Sequence, residues 1–276
     1  TLLVVLISLA ISGPLAAASP EKIPVRAFFS NPEFSSPCLS ADGKTIAIVA
    51  SSGDKQTVFS IGVAAGSKPV ALARISDPVM RLKWLEWANA NRLLISAQTR
   101  NPFSVGVRSR MTQLFGVDRD GKNFGWLGRH WPLSGQLQVP VIYQDQVIHW
   151  TPADPDSVLI QYQDPTEDSP NVMRMNVKTG NVFSAQSRMN NIQDWYADIE
   201  GRVRAGVATT QSNLYQLYAR IGPQDPLALV IEHPIFTGGG PTFAGFHENP
   251  GKLYVSALQD GREAIFEFDI LTKQVG

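Results

Sequence analysis

One order of turns and strands recurs five times along this chain, and that repeat constrains the fold more than any other feature. From Glu21 onward, short runs rich in Val, Ile, Leu, Phe, Tyr and Trp alternate with Gly, Pro, Asn and Asp clusters, and helical periodicity is almost absent. The clearest unit is Pro37 to Arg74. It holds a strand, an Asp42-Gly43 turn, the strand Ile46 to Val49, a polar turn, Thr57 to Val63, the Ala65-Gly66 turn, and a last strand around Val70 to Leu72. Asp-Gly supplies the positive φ that a tight hairpin requires. Later units repeat the order, opening on Leu82 to Trp87, Val147 to Trp150, Asp194 to Ala197 and Phe243 to Phe246. Successive units lie about 45–60 residues apart, close to the period of propeller blades. Four short antiparallel strands per unit cannot bury two apolar faces alone, so neighbours must stack. A β-sandwich would not repeat one turn-and-strand order.

The expected fold is therefore all-β: a β-propeller with about five four-stranded blades, at 37–74, 79–128, 139–186, 189–233 and 241–276, after a lead-in segment at 19–36. The fifth unit reads as stopping after its third strand, so we expect a seven- or eight-bladed ring cut short.

Residues Thr1 to Ala18 are uncharged and strongly apolar, broken by Gly13-Pro14 and ending in small residues. That is the apolar core and Ala-x-Ala region of a secretory signal peptide, with Ala16 and Ala18 at the small positions and its start missing. Export to the periplasm or medium is the expectation, with no membrane span once the signal is removed; a retained anchor is the alternative. Lys+Arg and Asp+Glu balance at 24 each, so no net field draws the chain to nucleic acid. Cys38 is the one cysteine, which excludes an internal disulfide and a thiolate cluster; beside Pro37 it reads as a small hydrophobe.

Few motifs that carry chemistry occur in the chain. G-x-S-x-G is absent, and His247-Glu248 leads into the turn Asn249-Pro250 rather than an H-E-x-x-H helix. Gly238-Gly239-Gly240 precedes a proline, not a helix. His130, His149, His233 and His247 are far apart and read as strand-end or turn histidines. Asp154-Pro155-Asp156 and Asp164 to Asp168 lack the alternating spacing of a calcium loop and read as turn formers. Trp84, Trp87, Trp126, Trp131, Trp150 and Trp195 mostly fall on strands, which favours packing over a stacking platform. No catalytic, cofactor-binding or metal residue is assigned, and no cofactor is expected.

Ser40-Ala41-Asp42-Gly43-Lys44-Thr45-Ile46-Ala47 resembles the blade opening common in exported hydrolase propellers. Two further stretches, Asp154 to Ile160 leading to Val172 to Gly180, and Asp194 to Arg204, follow in order. Together they resemble the N-terminal propeller of bacterial prolyl oligopeptidase family serine peptidases, of the dipeptidyl- and acylaminoacyl-peptidase-like branch. The resemblance implies an α/β-hydrolase domain in the same polypeptide, carrying Ser, Asp and His, with the propeller restricting access to oligopeptides. This chain lacks the nucleophile elbow, so no catalytic residue carries over and the segment is expected to be inactive alone. The alternatives are a stand-alone periplasmic propeller of the TolB-like kind, serving as a protein-binding scaffold, and a propeller enzyme with a central metal site such as a lactonase.

Overall fold

The Asp-Gly turns and β-branched runs form the hairpins that their chemistry favours. The structure, a computed structural model, describes residues 32–53, 55–76, 80–100, 110–128, 130–132, 138–140, 143–162, 169–189, 191–236 and 240–276. Five four-stranded antiparallel sheets follow one another in chain order. Sheet 1 is β1 (Phe34–Leu39), β2 (Thr45–Ser52), β3 (Lys55–Gly62) and β4 (Val70–Ile75). Sheet 2 is β5 (Arg81–Trp87), β6 (Arg92–Arg100), β7 (Arg110–Asp118) and β8 (Gly125–Trp126). A two-stranded hairpin, β9 (His130–Pro132) and β10 (Gln138–Pro140), precedes sheet 3, which is β11 (Gln146–His149), β12 (Ser157–Tyr162), β13 (Asn171–Asn176) and β14 (Val182–Gln186). Sheet 4 is β15 (Ile192–Ala197), β16 (Val203–Thr209), β17 (Leu214–Ala219) and β18 (Ala228–Pro234). Sheet 5 is β19 (Thr242–Phe246), β20 (Lys252–Gln259), β21 (Arg262–Asp269) and β22 (Gln274–Val275). In each sheet, sequential neighbours pair, so the first and fourth strands are the edges. This is a β-propeller architecture.

Three boundaries differ from the sequence expectation. Sheet 5 has a fourth strand: Val275 pairs with Phe268 and Gln274 with Asp269. Two polar-flanked residues carry no apolar run to announce them. Strand β1 starts at Phe34, inside the expected lead-in, because a bulge between Ser35 and Cys38 accommodates Pro37 within the strand. Val139 and Pro140 pair with β9, and sheet 3 begins at Gln146.

Each pair of neighbouring sheets encloses its own apolar core. Ala47, Val49 and Val58 of sheet 1 meet Leu85, Trp87, Leu93 and Ile95 of sheet 2. The opposite face of sheet 2, with Leu94 and Leu114, meets Val158, Ile160 and Met175 of sheet 3. Leu159 and Val172 then meet Ile192, Trp195 and Ala208 of sheet 4. Ala205, Leu217 and Ala219 meet Leu253, Val255 and Phe268 of sheet 5. Strand β12 is buried along its whole length, which is why Val158 to Ile160 reads as an unbroken apolar run. Each Leu, Ile or Val so buried contributes about 1.5–3 kcal/mol before entropy is counted.

Polar ties cross the same seams at the turns between first and second strands. Asn89 Nδ2 donates to the Pro155 carbonyl at 2.7 Å, His149 Nε2 lies 3.1 Å from the Ile199 carbonyl, and Arg204 donates to the Pro250 carbonyl. Arg92 is 2% exposed; its Nε donates to the Val177 carbonyl at 2.9 Å and its Nη1 to the Asn123 carbonyl at 2.8 Å, with Asp118 at 3.1 Å. Truncating Arg92→Ala strands two carbonyls and a carboxylate at the seam between sheets 2 and 3. We expect a loss of about 3–5 kcal/mol in urea unfolding; a loss below about 1 kcal/mol would show that the seam does not rely on this guanidinium.

Candidate functional site

In all five sheets the first strand is bulged against the second, between Ser35 and Cys38, Leu82 and Trp84, Val147 and His149, Ile192 and Asp194, and Phe243 and Gly245. These first strands are sheet edges, and neighbouring ones approach each other (β1 with β5, β11 with β15). A bulge inserts an unpaired residue and re-aims its neighbours. Here the inserted residues Lys83, Ile148 and Gln193 point chemistry across the seams.

Lys83 meets Asp145, just ahead of β11, at 2.9 Å. The Asp145 side chain is 1% exposed and also accepts hydrogen bonds from Trp84 Nε1 at 3.1 Å, Ser96 Oγ at 2.7 Å and Thr112 Oγ1 at 2.7 Å. Burial is the largest influence on its pKa and pushes it up. The hydrogen bonds from Lys83, Ser96 and Thr112, with the Lys83 charge, outweigh that and hold the carboxyl below the usual range. The carboxylate is thus charged and satisfied, a fastener between sheets 2 and 3 rather than an acid or base poised for reaction.

One residue further on, Gln146, Val147 and Ile148, with Gln161 paired beside Gln146 in sheet 3, face Asp194, Trp195 and Tyr196 of sheet 4 across a cleft of about 320 Å³. Gln161 fixes its floor: its Nε2 donates to the Gln193 carbonyl at 2.7 Å and its Oε1 accepts from the Trp195 amide at 2.8 Å. Trp195 is buried, with Nε1 donating to the Pro170 carbonyl at 2.8 Å. Burial, then the nearby Asp194 charge, raises the Tyr196 pKa, so the phenol stays protonated. The Tyr196 ring meets Phe243 of sheet 5 at 4.6 Å, tilted by 45°. The cleft therefore offers an exposed carboxylate, a phenol and amides above an apolar floor, beside strand edges whose backbone groups can pair with an extended chain.

The residues singled out from sequence lie elsewhere. His149 Nδ1 accepts from the Thr151 amide at 2.9 Å, and His247 Nδ1 accepts from the Asn249 amide at 2.8 Å, both as turn histidines. His233 stacks on Tyr215 at 5.0 Å. Asp154 pairs with Arg174 at 3.3 Å and Asp156 with Lys178 at 2.9 Å, so both serve turns. Asp164 to Asp168, Gly238 and Gly239 lie outside the described residues, as do the side chains of His130 and Trp131. Trp84 and Trp150 meet edge to face at 6.1 Å across the seam, and Trp87 Nε1 donates to the Cys38 carbonyl at 3.2 Å, which is packing. Burial and the Glu86 charge push the Cys38 thiol up to about 12, far from a thiolate nucleophile. Among the described residues, no group of three His, Cys, Asp or Glu side chains gathers as a metal would need, and no helix is long and apolar enough to cross a membrane.

The Asp194 to Arg204 stretch divides between these roles. Asp194 and Tyr196 line the cleft. Asp198, 3% exposed, accepts from the Glu200 and Arg202 amides at 3.2 and 3.0 Å and from Arg202 Nε at 2.8 Å. Arg204 sits at a second bulge, opposite Tyr196 and Ala197, and reaches sheet 5. Sequence reasoning singled out neither Lys83, Asp145 nor Gln146; the sole signal was a polar run, Gln144-Asp145-Gln146, placed directly before an apolar strand.

No family model matches the chain, and no curated protein matches it. Solved structures do. Dipeptidyl peptidase 4 from Porphyromonas gingivalis aligns over 90% of this chain and 39% of its own, at 10% identity and a TM-score of 0.56. A prolyl endopeptidase aligns over 86% of this chain and 34% of its own, at 12% identity and a TM-score of 0.54. An oligogalacturonate lyase from Vibrio parahaemolyticus aligns over 89% of this chain and 69% of its own, at 10% identity and a TM-score of 0.53. At these identities the likeness establishes the propeller fold. The chain spans little more than a third of either peptidase.

Asp145 gives the testable consequence. A carboxyl whose folded pKa is depressed stabilises above its unfolded value, near 3.9, and loses that contribution as pH falls through the folded value. Asp145→Asn should cost about 2–3 kcal/mol at pH 7, since the amide repels donors it must face. The difference from the parent should shrink below about pH 4. An equal difference at pH 7 and pH 3 in urea melts would contradict the assignment.

Proposed function

We propose that this chain is the propeller part of an exported serine peptidase that hydrolyses oligopeptides, and that its inner strands dock extended substrate and exclude folded protein. The observation that carries this reading is the order of three sequence stretches, Ser40 to Ala47, Asp154 to Gly180 and Asp194 to Arg204, which resembles peptidase propellers. Likeness in fold to two peptidases supports it, and so does the cleft, whose volume of about 320 Å³ suits a side chain or a short stretch of backbone rather than a folded surface. In this reading the chemistry belongs to an α/β-hydrolase domain of the same polypeptide, by acyl-enzyme transfer. The propeller contributes only binding and selection. Export rests on Thr1 to Ala18.

The chain as given should not react with a fluorophosphonate serine probe. The product of the gene's full reading frame should react at one serine within G-x-S-x-G, and when secreted should begin at Ser19 by mass spectrometry. A reading frame without that elbow, or probe labelling of residues 19–276 alone, would sink the proposal.

A further inference from the structure

The side chains that line the cleft between sheets 3 and 4 carry one negative charge and no positive one. Gln146 and Gln161 bring amides, Tyr196 a phenol and Asp194 a carboxylate, while Val147 and Ile148 supply apolar surface. Both walls are backed by a further sheet, sheet 3 by sheet 2 and sheet 4 by sheet 5. The first strands that form these walls are both bulged, so neither wall continues the regular ladder of its own sheet.

Asp194 differs from the other carboxylates near these strands. Asp145 is held by Lys83 at 2.9 Å, and Asp198 by Arg202 at 2.8 Å and Arg204 at 3.5 Å; both carboxylates are buried. Asp194 is exposed, and among the described residues no Lys or Arg pairs with it. An open surface carboxylate is ordinary by itself; its place on the wall of a cleft with a phenol and apolar surface is what gives it a use. Burial, and then the Asp194 charge, raise the Tyr196 pKa, so carboxylate and phenol share one electrostatic neighbourhood. The Gln161 amide, by contrast, is committed. Its Nε2 donates to the Gln193 carbonyl at 2.7 Å and, at 3.4 Å, to Gln146 Oε1, and its Oε1 accepts from the Trp195 amide at 2.8 Å. Both of its hydrogens are used, so it has none to offer an anion.

We propose that the cleft takes a basic side chain, Lys or Arg, from an extended peptide, and that Asp194 is the residue that selects it. The aliphatic stem of such a side chain lies along Val147 and Ile148 while its charged head reaches Asp194. Tyr196 adds a phenol oxygen as a second acceptor and an aromatic ring that attracts a cation. An acidic side chain is repelled by Asp194 and finds no free hydrogen on Gln161. A neutral one gains the apolar surface but nothing from the carboxylate. Asp194 acts here in selection and takes no part in chemistry. The inference rests on the reading that extended peptide docks at these strand edges, and adds which side chain is preferred there.

Fluorescence anisotropy on the purified chain tests this with N-acetylated, alanine-rich peptides that carry a C-terminal fluorophore and differ only in one central Lys, Arg, Gln or Glu. A Gln peptide with a free N-terminus reports whether a terminal ammonium is recognised instead. The Lys and Arg peptides should bind about tenfold tighter than the acetylated Gln peptide, the combined effect of an exposed ion pair and a cation–ring contact. The Glu peptide should bind weakest, and the preference should fade at high salt. Asp194→Asn should remove the preference while leaving the Gln peptide's affinity unchanged, and Asp194→Lys should reverse it in favour of Glu. Asp194 is exposed, so circular dichroism should show the fold intact in both variants. Equal binding of the Lys, Gln and Glu peptides, or a preference that survives Asp194→Asn, would overturn the inference and leave the docking reading standing. Tighter binding of the free-amine peptide alone would do the same. Failure of every peptide to bind would overturn both.

Discussion

A four-stranded sheet whose strands alternate apolar residues to both sides cannot be stable by itself; each face needs another sheet. Everything else in this protein follows from that constraint. Sheets 2, 3 and 4 are covered on both faces, and the four seams carry four separate apolar cores. Stacking alone leaves rotation and slippage between sheets poorly determined, because apolar contact has no direction. Direction comes from the polar ties at the turns, from Arg92 and Arg204, and from the Asp145 fastener. Such buried charges are stable only because each is met by several partners.

The bulges connect this architecture to the cleft. A regular ladder would keep Lys83, Ile148 and Gln193 in register with their own sheet. The extra residue lets Lys83 fasten Asp145, lets the Gln193 carbonyl meet Gln161, and brings Ile148 to the cleft wall. Gly206 shows how tightly the neighbourhood is packed: a Cβ there would lie 2.7 Å from Ile192 Cδ1. The cleft thus has a closely packed floor, while Asp194 and Tyr196 line it from sheet 4. In the proposed reading, a closely packed, pre-shaped wall beside first-strand edges suits an extended peptide, since little ordering is left to be done on binding.

Much of the fold was legible in the residues because a tight turn is local chemistry. Asp42-Gly43, Asp120-Gly121 and Glu200-Gly201 mark real hairpins, with Gly43 at φ 69° and an amide at Lys44 donating to Asp42. The runs between them are strands. What escaped was set by pairing between distant residues. Val275 is a strand only because Phe268 lies opposite, and β1 extends past Pro37 only because a bulge absorbs it. The site escaped more completely. No motif marks Lys83 with Asp145, 62 positions apart, or Gln146 with Asp194; the seam unites them. Asp194 and Tyr196 were visible within the stretch that resembles peptidase propellers, but nothing in that stretch separates cleft residues from Asp198 and Arg204, which build a turn and a seam.

In the proposed reading, extended peptide docks at the first-strand edges of sheets 3 and 4, and the turns serve only as structure. Hydrogen exchange read by mass spectrometry, with and without a saturating extended oligopeptide, addresses that claim directly. Protection should rise in peptides covering Gln146 to Ile148 and Asp194 to Tyr196, and the turns at Asp42, Asp120 and Asp269 should exchange as before. Protection confined to those turns, or none at either inner strand, would contradict it.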